Sequence, residues 1–414
     1  MSFEVLSKRR VLRERESAFE RRDDVQGLRT VAALLVAAYH IWTHRISGAV
    51  DVFFVVSAFV MTQSLLREIQ RSGTVSLARF YRNLLFRMAP LAWAVIAGTM
   101  LAALLLLPIT QWSTIGEQAT SAALFQINYF LGFESIAYLG EAANSSLFQH
   151  FWAMSVQVQF YLVFPLFGWL LAAVIRATRI PRTPLLLCAF SVILAASLTY
   201  ATASIIENQA FAYFDTGARA WEFAAGALVA IALPHVRLPR SARLVLAATG
   251  LVVLVSFGAF LDATTLFPGP AALVPVVAAV AILVGGASGA THGASKLLAS
   301  RPLVAAAEYS FGFYLWHWPV LVMHRQLTEQ ELLGPVDGLG VIAISAALAY
   351  LTHRLIEVPV RGAARQAKTP REWRRPIARL AVVALVPFWR SEVQGRTWTG
   401  CSLPRPSIIP AQRY

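Results

Sequence analysis

Two ionisable residues on one apolar segment, Arg29 and His40, have the types and spacing that could support chemistry inside a membrane. They lie in LRTVAALLVAAYHIW, Leu28 to Trp42, which is otherwise apolar enough to enter a bilayer. Their eleven-residue separation is about three helical turns, so both side chains project from one face, about 16 Å apart along the axis. Arginine can snorkel to the membrane edge. A deeper imidazole is costly to bury there and therefore indicates a functional site.

A third ionisable residue, Asp51, lies at the start of the next apolar segment, GAVDVFFVVSAF, from Gly48 to Phe59. A carboxylate there would orient the His40 imidazole and stabilise its charge, which is the usual support for a histidine base. Two alternative roles for Asp51 stay open. It could cap its own helix, where the helix dipole favours a negative charge. It could also pair with Arg45.

Polar side chains interrupt two later apolar segments. Ser155 and Gln157 lie in FWAMSVQVQFYLVFP, and Tyr314 and His317 lie in EYSFGFYLWHWPVLV. Inside a helical bundle such residues either bond neighbouring helices or line a cavity. We expect these four residues to line a substrate cavity, and for His317 a purely structural role stays equally open.

A basic run, ARFYRNLLFRMAP, precedes the third apolar segment and carries Arg79, Arg82 and Arg87. Guanidinium groups bind phosphates through paired hydrogen bonds. All three are therefore candidates for binding the phosphates of a ligand, and we assign this role to Arg82 and Arg87 together with Arg29. The alternative is that these basic residues only mark the cytoplasmic side of the membrane.

Two other pairs of opposite charge have the spacing of ion pairs within a helix. They are Arg219 with Glu222, and Glu357 with Arg361. The segment that follows Glu222 contains small residues, including Gly226, which suit close helix packing.

The elements that position these side chains are predicted to be membrane-spanning helices. The chain is 57% hydrophobic and 14% charged, against about 25% charged in soluble domains, and its mean hydropathy is +0.58. These values exclude an ordinary soluble domain and predict an all-α, polytopic transmembrane bundle. The net charge of +14 does not indicate nucleic-acid binding, because the basic residues concentrate in alternate loops. No ligand spacing predicts a metal site.

Apolar runs predict about ten spans. They lie near 27–46, 49–66, 89–109, 151–175, 184–205, 219–235, 242–261, 270–287, 309–327 and 338–357. Basic residues fill every second loop, whereas the longest opposite loop, 110–150, has none. This pattern predicts a multi-pass protein of the inner (plasma) membrane whose N terminus lies in the cytoplasm.

The predicted organisation has three parts. Residues 1–26 form a basic cytoplasmic segment, too charged to be a cleaved signal peptide. Residues 27–360 form the transmembrane domain, and 361–414 form a basic, flexible tail with a candidate partial eleventh span.

Seven fragments of this sequence together resemble the acyltransferase 3 family of membrane acyltransferases. They occur in order between about residues 22 and 361: RDDVQGLRTVAALLVAAYH, VDVFFVVSAF, FYR…R…P, FWAMSVQVQFYLVFP, RAWEFAAG, YSFGFYLWHWPV and LIEVPVR. Each fragment alone is modest, but the ordered set is specific.

The resemblance implies ten core spans and transfer of an acyl group, usually acetyl from acetyl-CoA, to a carbohydrate hydroxyl outside the cytoplasm. Acyl-CoA is then a donor substrate, and no bound cofactor is expected. The resemblance also implies that Arg29 and His40 are essential. It places Asp51 at an acidic position of the second span, and Tyr314, His317 and Pro319 in an aromatic motif. The acceptor stays open among lipopolysaccharide, exopolysaccharide, peptidoglycan, lipid-linked glycans, macrolides and small glycosides.

The sequence departs from the family pattern at three places. Gln157 stands where a glutamate is usual, and a glutamine cannot act as a base. Ala49 and Ala58 replace glycines of the second span, and Leu84 replaces an arginine.

These features lead to a mechanistic hypothesis. Arg29, Arg82 and Arg87 would hold the donor's nucleotide at the cytoplasmic face. His40 would act as general base on the acceptor hydroxyl, or would itself carry the acyl group. Two other functions stay open: a proton-coupled transporter or flippase, and a non-catalytic family member.

Overall fold

The computed structural model describes residues 22–43, 48–137, 146–178, 180–260, 266–287, 292–330 and 332–366. Within these ranges every regular element is a helix, and no strand occurs. The predicted all-α class is therefore confirmed. Arg45, most of the N-terminal segment and the tail beyond residue 366 lie outside the described residues.

Fifteen α-helices follow one another in the described part of the chain. They are α1 (Asp23–Trp42), α2 (Ala49–Ser72), α3 (Leu77–Leu106), α4 (Trp112–Ala123), α5 (Ile127–Ala137), α6 (Phe151–Thr178), α7 (Arg182–Phe214), α8 (Thr216–Ala232), α9 (Arg240–Phe260), α10 (Leu273–Gly285), α11 (Gly293–Leu298), α12 (Arg301–Ala306), α13 (Ser310–Thr328), α14 (Pro335–Thr352) and α15 (Val358–Gln366). A π-helical turn, His353–Glu357, joins α14 to α15.

Six of the described helices are long and apolar enough to cross a membrane. They are Ala49–Ser72, Leu77–Leu106, Phe151–Thr178, Arg182–Phe214, Arg240–Phe260 and Pro335–Ala363. The last of these runs from α14 through the π-helical turn into α15. Each of them overlaps a predicted span, and together they indicate a multi-pass membrane protein. The other four predicted spans fall on α1, α8, α10 and α13. Helix α8 has 17 residues and α10 has 13. The ten-span count and the cytoplasmic N terminus therefore remain predictions.

Helix α1, which carries Arg29 and His40, packs against α2, α12 and α13. Its apolar face is buried, including Leu28, Ala32 and Val36. The hydroxyl of Thr30 donates a hydrogen bond of 2.7 Å to the carbonyl of Leu303 in α12. These contacts fix the helix along its length, so the two chemical side chains are held by a well-packed element.

Helices α2 and α8 approach each other closely at Gly226. A Cβ atom at this position would lie 2.1 Å from the carbonyl oxygen of Val55. Because the obstructing atom belongs to the backbone, a larger residue cannot be accommodated by a side-chain rotation. This contact confirms the close packing that the small residues predicted.

Gly226→Ala should therefore destabilise the bundle by about 1–3 kcal/mol, the usual cost of overpacking. The matched control is Gly340→Ala on α14, where an added Cβ would meet nothing within 4 Å. Thermal unfolding in detergent should show a lower midpoint for the first variant only. Equal midpoints would contradict the close α2–α8 contact.

Candidate functional site

A cavity of about 500 Å³ lies inside the bundle, between α1, α2, α3, α6, α13 and the last helices. Apolar side chains and a set of polar side chains line it together. The polar and charged lining residues are Gln26, Arg29, Ser57, Ser64, Glu68, Arg79, Asn83, Arg87, Gln157, Tyr161, Glu308, Tyr314, Glu357 and Arg361. The cavity is therefore amphipathic, with its charges contributed mainly by arginines and glutamates.

Arginines from three helices share the lining of this cavity, and Arg87, Arg361 and Glu357 are the charged neighbours that act on Arg29. We call Arg29, Arg79, Arg87 and Arg361 the arginine cluster. Arg361 is neutralised locally, because it donates to Glu357 at 2.7 Å, as its spacing predicted. Arg29 donates to the amide oxygen of Gln26 at 3.1 Å.

Three members of the arginine cluster have charge available for a ligand. Among the described residues, Arg29, Arg79 and Arg87 take part in none of the ion pairs, which involve other residues. Three glutamates also line the cavity. Glu357 is paired with Arg361, and Glu68 accepts a hydrogen bond from the backbone of Ser76. Glu308 lies on the α12–α13 side of the wall. The cavity can thus bind an anionic group at Arg29 and Arg87.

Only two of the three arginines assigned to phosphate binding line the cavity. Arg29 and Arg87 line the cavity, whereas Arg82 is not among its lining residues and Arg79 is. The helical period explains this difference. Arg79, Asn83 and Arg87 are four residues apart and share one face of α3, and Arg82 falls off that face. This spacing is a signal in the sequence that favours Arg79 over Arg82 among the three candidates.

The predicted cavity residues of α6 separate in the same way. Gln157 lines the cavity, and its amide nitrogen donates to the Ser57 hydroxyl at 2.6 Å and to the Tyr161 hydroxyl at 2.7 Å. This amide therefore links α6 to α2 in the cavity wall. Ser155 is fully buried and is not among the residues that line the cavity.

Tyr314 connects the cavity to a pair of histidines, His40 and His317, neither of which is among the residues that line the cavity. The ring of Tyr314 lines the cavity, 5.9 Å from the Phe53 ring and 5.5 Å from the ring of His317. His317, one turn further along α13, is completely buried. Its Nε2 atom lies 3.1 Å from Nδ1 of His40. The structure therefore brings together His40, His317 and Tyr314, although 277 residues separate the two histidines in the sequence.

The hydrogen bonds of this pair determine which ring nitrogen of His40 is basic. Nδ1 of His317 bonds the carbonyl oxygen of Tyr314, and a carbonyl only accepts, so this nitrogen carries the hydrogen. In a neutral imidazole the other nitrogen then accepts. Nε2 of His317 therefore accepts from Nδ1–H of His40, and Nε2 of His40 is the unprotonated nitrogen that can take a proton. An edge contact with Trp318, at 4.8 Å between centroids, borders the His40 ring.

Asp51 lies in a separate, completely buried charge cluster. Its Oδ1 atom accepts from Nη1 of Arg219 at 2.9 Å, and the same nitrogen donates to Glu222 at 3.0 Å. The Arg219–Glu222 pair confirms the ion pair predicted within α8, while Asp51 adds a second carboxylate from α2. His317, rather than Asp51, is the partner of Nδ1 of His40.

Aromatic rings surround the guanidinium of Arg219. It lies 5.0 Å from the Trp152 ring, 4.8 Å from Tyr213 and 5.8 Å from Phe267. Cation–π contacts of this kind stabilise a charge that is removed from water. Over the described ranges, no group of three or more histidine, cysteine, aspartate or glutamate side chains could hold a metal ion.

These features define an integral membrane protein with a ligand-binding cavity. The protein is a multi-pass helical bundle, the cavity is amphipathic with arginines on its wall, and a histidine pair lies next to it. The model of the acyltransferase domain family, Acyl_transf_3, matches residues 22–354. The chain therefore belongs to the acyltransferase 3 family.

Curated relatives agree with this assignment. The chain is 24% identical over 350 residues to peptidoglycan O-acetyltransferase OatA of Listeria monocytogenes, covering 81% of this chain and 55% of that protein. It is 25% identical over 358 residues to O-acetyltransferase OatA of Staphylococcus aureus, covering 81% and 57%. It is 28% identical over 343 residues to BcsY of Komagataeibacter xylinus, named provisionally as a membrane-bound transacylase, covering 81% and 82%.

The chain thus spans about half the length of the two OatA proteins and most of the length of BcsY. No solved structure was found to match it.

Proposed function

We propose that this protein is a membrane O-acyltransferase that moves an acetyl group from acetyl-CoA to a hydroxyl of a carbohydrate outside the cytoplasm. The observation that carries the proposal is the hydrogen bond between His40 and His317, which makes Nε2 of His40 a base beside a cavity with arginines on its wall. The family assignment and the O-acetyltransferase relatives support the same reaction class.

The donor site in this proposal is the cavity. Arg29 and Arg87 bind the phosphates of acetyl-CoA by charge-assisted hydrogen bonds, and Arg79 extends the same cationic surface. The acyl-pantetheine arm lies along the apolar part of the lining towards Tyr314, with Gln157 as a polar contact. The predicted topology places the arginine cluster at the cytoplasmic side, where acetyl-CoA is available.

The chemical step transfers the acetyl group to an oxygen nucleophile. Nε2 of His40 takes the proton of the acceptor hydroxyl as its oxygen attacks the thioester carbonyl, and the C–S bond breaks. The released thiolate receives that proton, so the products are the acetyl ester and free CoA. His317 holds His40 in the required tautomer. Attack by His40 itself, through an acyl-imidazole, uses the same nitrogen.

Asp51 supports this site through the fold. Its ion pair with Arg219 ties α2, which contributes Phe53 and Ser57 to the cavity wall, to α8. In this proposal Asp51 therefore positions a wall of the donor cavity and does not act on the imidazole.

The test is transfer of label from radioactive acetyl-CoA in membranes that contain the protein and the native envelope glycans. Donor supplied at the cytoplasmic face of sealed inside-out vesicles should label a glycan on the enclosed side. Vesicles without the protein provide the background. Absence of label, with the protein present at normal levels, would contradict the proposal, and proton-coupled solute uptake in the same vesicles would support a transporter instead.

Arg87→Gln should raise the KM for acetyl-CoA by about 10-fold or more, because a hydrogen bond to a charged group contributes about 1.5–3 kcal/mol. The matched comparison is Arg82→Gln, five residues earlier on the same helix and outside the cavity lining. Its KM should change by less than about twofold, since Arg82 does not line the cavity in which the donor is proposed to bind. Initial rates over a range of acetyl-CoA concentrations measure both. An effect confined to Arg82→Gln would contradict the donor site described above.

A further inference from the structure

We propose that His150 is a positioning residue of the transfer reaction: it binds a carbonyl group that Pro319 leaves without a helical partner and so holds the His40–His317 pair in place. This inference rests on the proposed function. His150 precedes α6 and is not a residue that the sequence motifs single out, because its partner lies 165 residues later.

The first step is the effect of proline on α13. Pro319 lies inside this helix and has no N–H group, so it cannot donate to the carbonyl of Leu315, four residues earlier. Leu315 is completely buried. A buried carbonyl without a hydrogen bond destabilises a fold, so this position requires a donor from another element.

His150 supplies that donor. Its Nε2 atom lies 2.9 Å from the carbonyl oxygen of Leu315. The side chain is buried, so this bond is formed away from water. Since the carbonyl accepts, Nε2 of His150 carries the hydrogen, and its Nδ1 is an acceptor that has no hydrogen-bond partner among the described residues.

A second hydrogen bond joins the same two elements in the opposite direction. The hydroxyl of Tyr314 donates to the backbone oxygen of His150 at 2.7 Å. Residues 314 and 315 are therefore both fixed by residue 150. The imidazole of His150 also packs edge-to-face against that of His317, with 5.9 Å between ring centroids and 73° between planes.

The contacts of His150 act on His40 through His317. The carbonyl of Tyr314 is the group that accepts from Nδ1–H of His317 and thereby fixes its tautomer. His317 in turn fixes the tautomer of His40. Loss of the bond from His150 frees the turn at residues 314–315, and a shift of that turn moves the acceptor that orients His317.

The test is a double-mutant cycle of His150→Phe and Pro319→Ala. Phenylalanine keeps an aromatic ring but removes the donor, and alanine at 319 restores an N–H group for the Leu315 carbonyl. His150→Phe should lower kcat by about 100-fold, the loss that a misplacement of about 1 Å can cause. The KM for acetyl-CoA should stay near that of the wild type. Pro319→Ala should return the double variant to within about threefold of Pro319→Ala alone, since one donor replaces the other.

Two further variants separate positioning from folding. His150→Gln places an amide donor near the position of Nε2 and should retain most of kcat, whereas His324→Phe, on the same helix as His317, should leave kcat unchanged. A wild-type kcat for His150→Phe would overturn the proposal. So would a double variant no more active than His150→Phe, if Pro319→Ala alone remains active.

Thermal unfolding of the four proteins of the cycle in detergent does not depend on activity. The destabilisation by His150→Phe should be smaller in the Pro319→Ala background. If the wild type transfers no acetyl group, the proposed function fails, and this coupling still reports whether His150 serves the Leu315 carbonyl. Additive effects on stability would overturn that contact.

Discussion

His40→Ala should reduce acetyl transfer to the background of membranes without the protein, while the protein remains in the membrane at its normal level. General base catalysis contributes about 10²–10⁴-fold to a rate, and Nε2 of His40 is the nitrogen that the hydrogen bonds leave basic. The side chain is half-buried rather than central to the hydrophobic core, so its truncation should not prevent folding. Labelled acetate in the glycan fraction measures the effect.

The control is His235→Ala, an exposed histidine outside the cavity lining, which should transfer acetyl at the wild-type rate. His317→Ala should have an intermediate rate, because it removes the group that fixes the tautomer of His40 and keeps the base itself. Normal transfer by His40→Ala would exclude both routes in which this nitrogen takes part. Samples denatured rapidly near neutral pH distinguish those routes, since only the acyl-imidazole route leaves label on the protein, and brief acid treatment should then release that label.

Local spacing was sufficient to predict the parts of the site that lie on single helices. Arg29 and His40 are on α1 as predicted, and the pairs Arg219–Glu222 and Glu357–Arg361 form as their spacing predicts. The helical period is a property of the chain itself, so it can be read from one sequence. The same period, applied to α3, selects Arg79 over Arg82.

Contacts between distant helices could not be predicted in this way. The partner of His40 is 277 residues away, and the second carboxylate on Arg219 is 168 residues away. Several polar residues could have bonded His40 or Asp51, and only the packing of α1, α2, α8 and α13 selects among them. The role of His150 as hydrogen-bond donor to the Leu315 carbonyl could not be predicted either. A proline indicates a carbonyl without a helical partner but does not identify the residue that will bind it.

The predicted spans that satisfy a test of length and hydropathy also differ physically from those that do not. Helices that face outwards over much of their surface, such as α7 and α9, satisfy a test of length and hydropathy. Helix α1 carries Asp23, Asp24 and Arg29, and α13 carries two histidines and an arginine. The two helices that carry His40 and His317 are therefore among those in which polar residues lower the hydropathy on which span prediction depends.

Arg219→Leu should prevent the protein from folding to a stable state, or lower its stability by about 3–5 kcal/mol, the cost of breaking a buried ion pair by removal of one partner. The change leaves two buried carboxylates, Asp51 and Glu222, without their common cation. It also removes the cation–π contacts that the guanidinium makes with three aromatic rings. Detergent-solubilised yield and the midpoint of thermal unfolding measure the loss.

A triple variant, Arg219→Leu with Asp51→Asn and Glu222→Gln, separates charge from shape. A buried amide without a partner costs much less free energy than a buried unpaired carboxylate, so this variant should recover part of the lost midpoint. Because His40 and His317 are unchanged in it, acetyl transfer should return with the fold. A triple variant that folds well but transfers no acetyl would show that this charge cluster takes part in the reaction and does not only support the fold, and the single variant Asp51→Asn would then test that carboxylate alone.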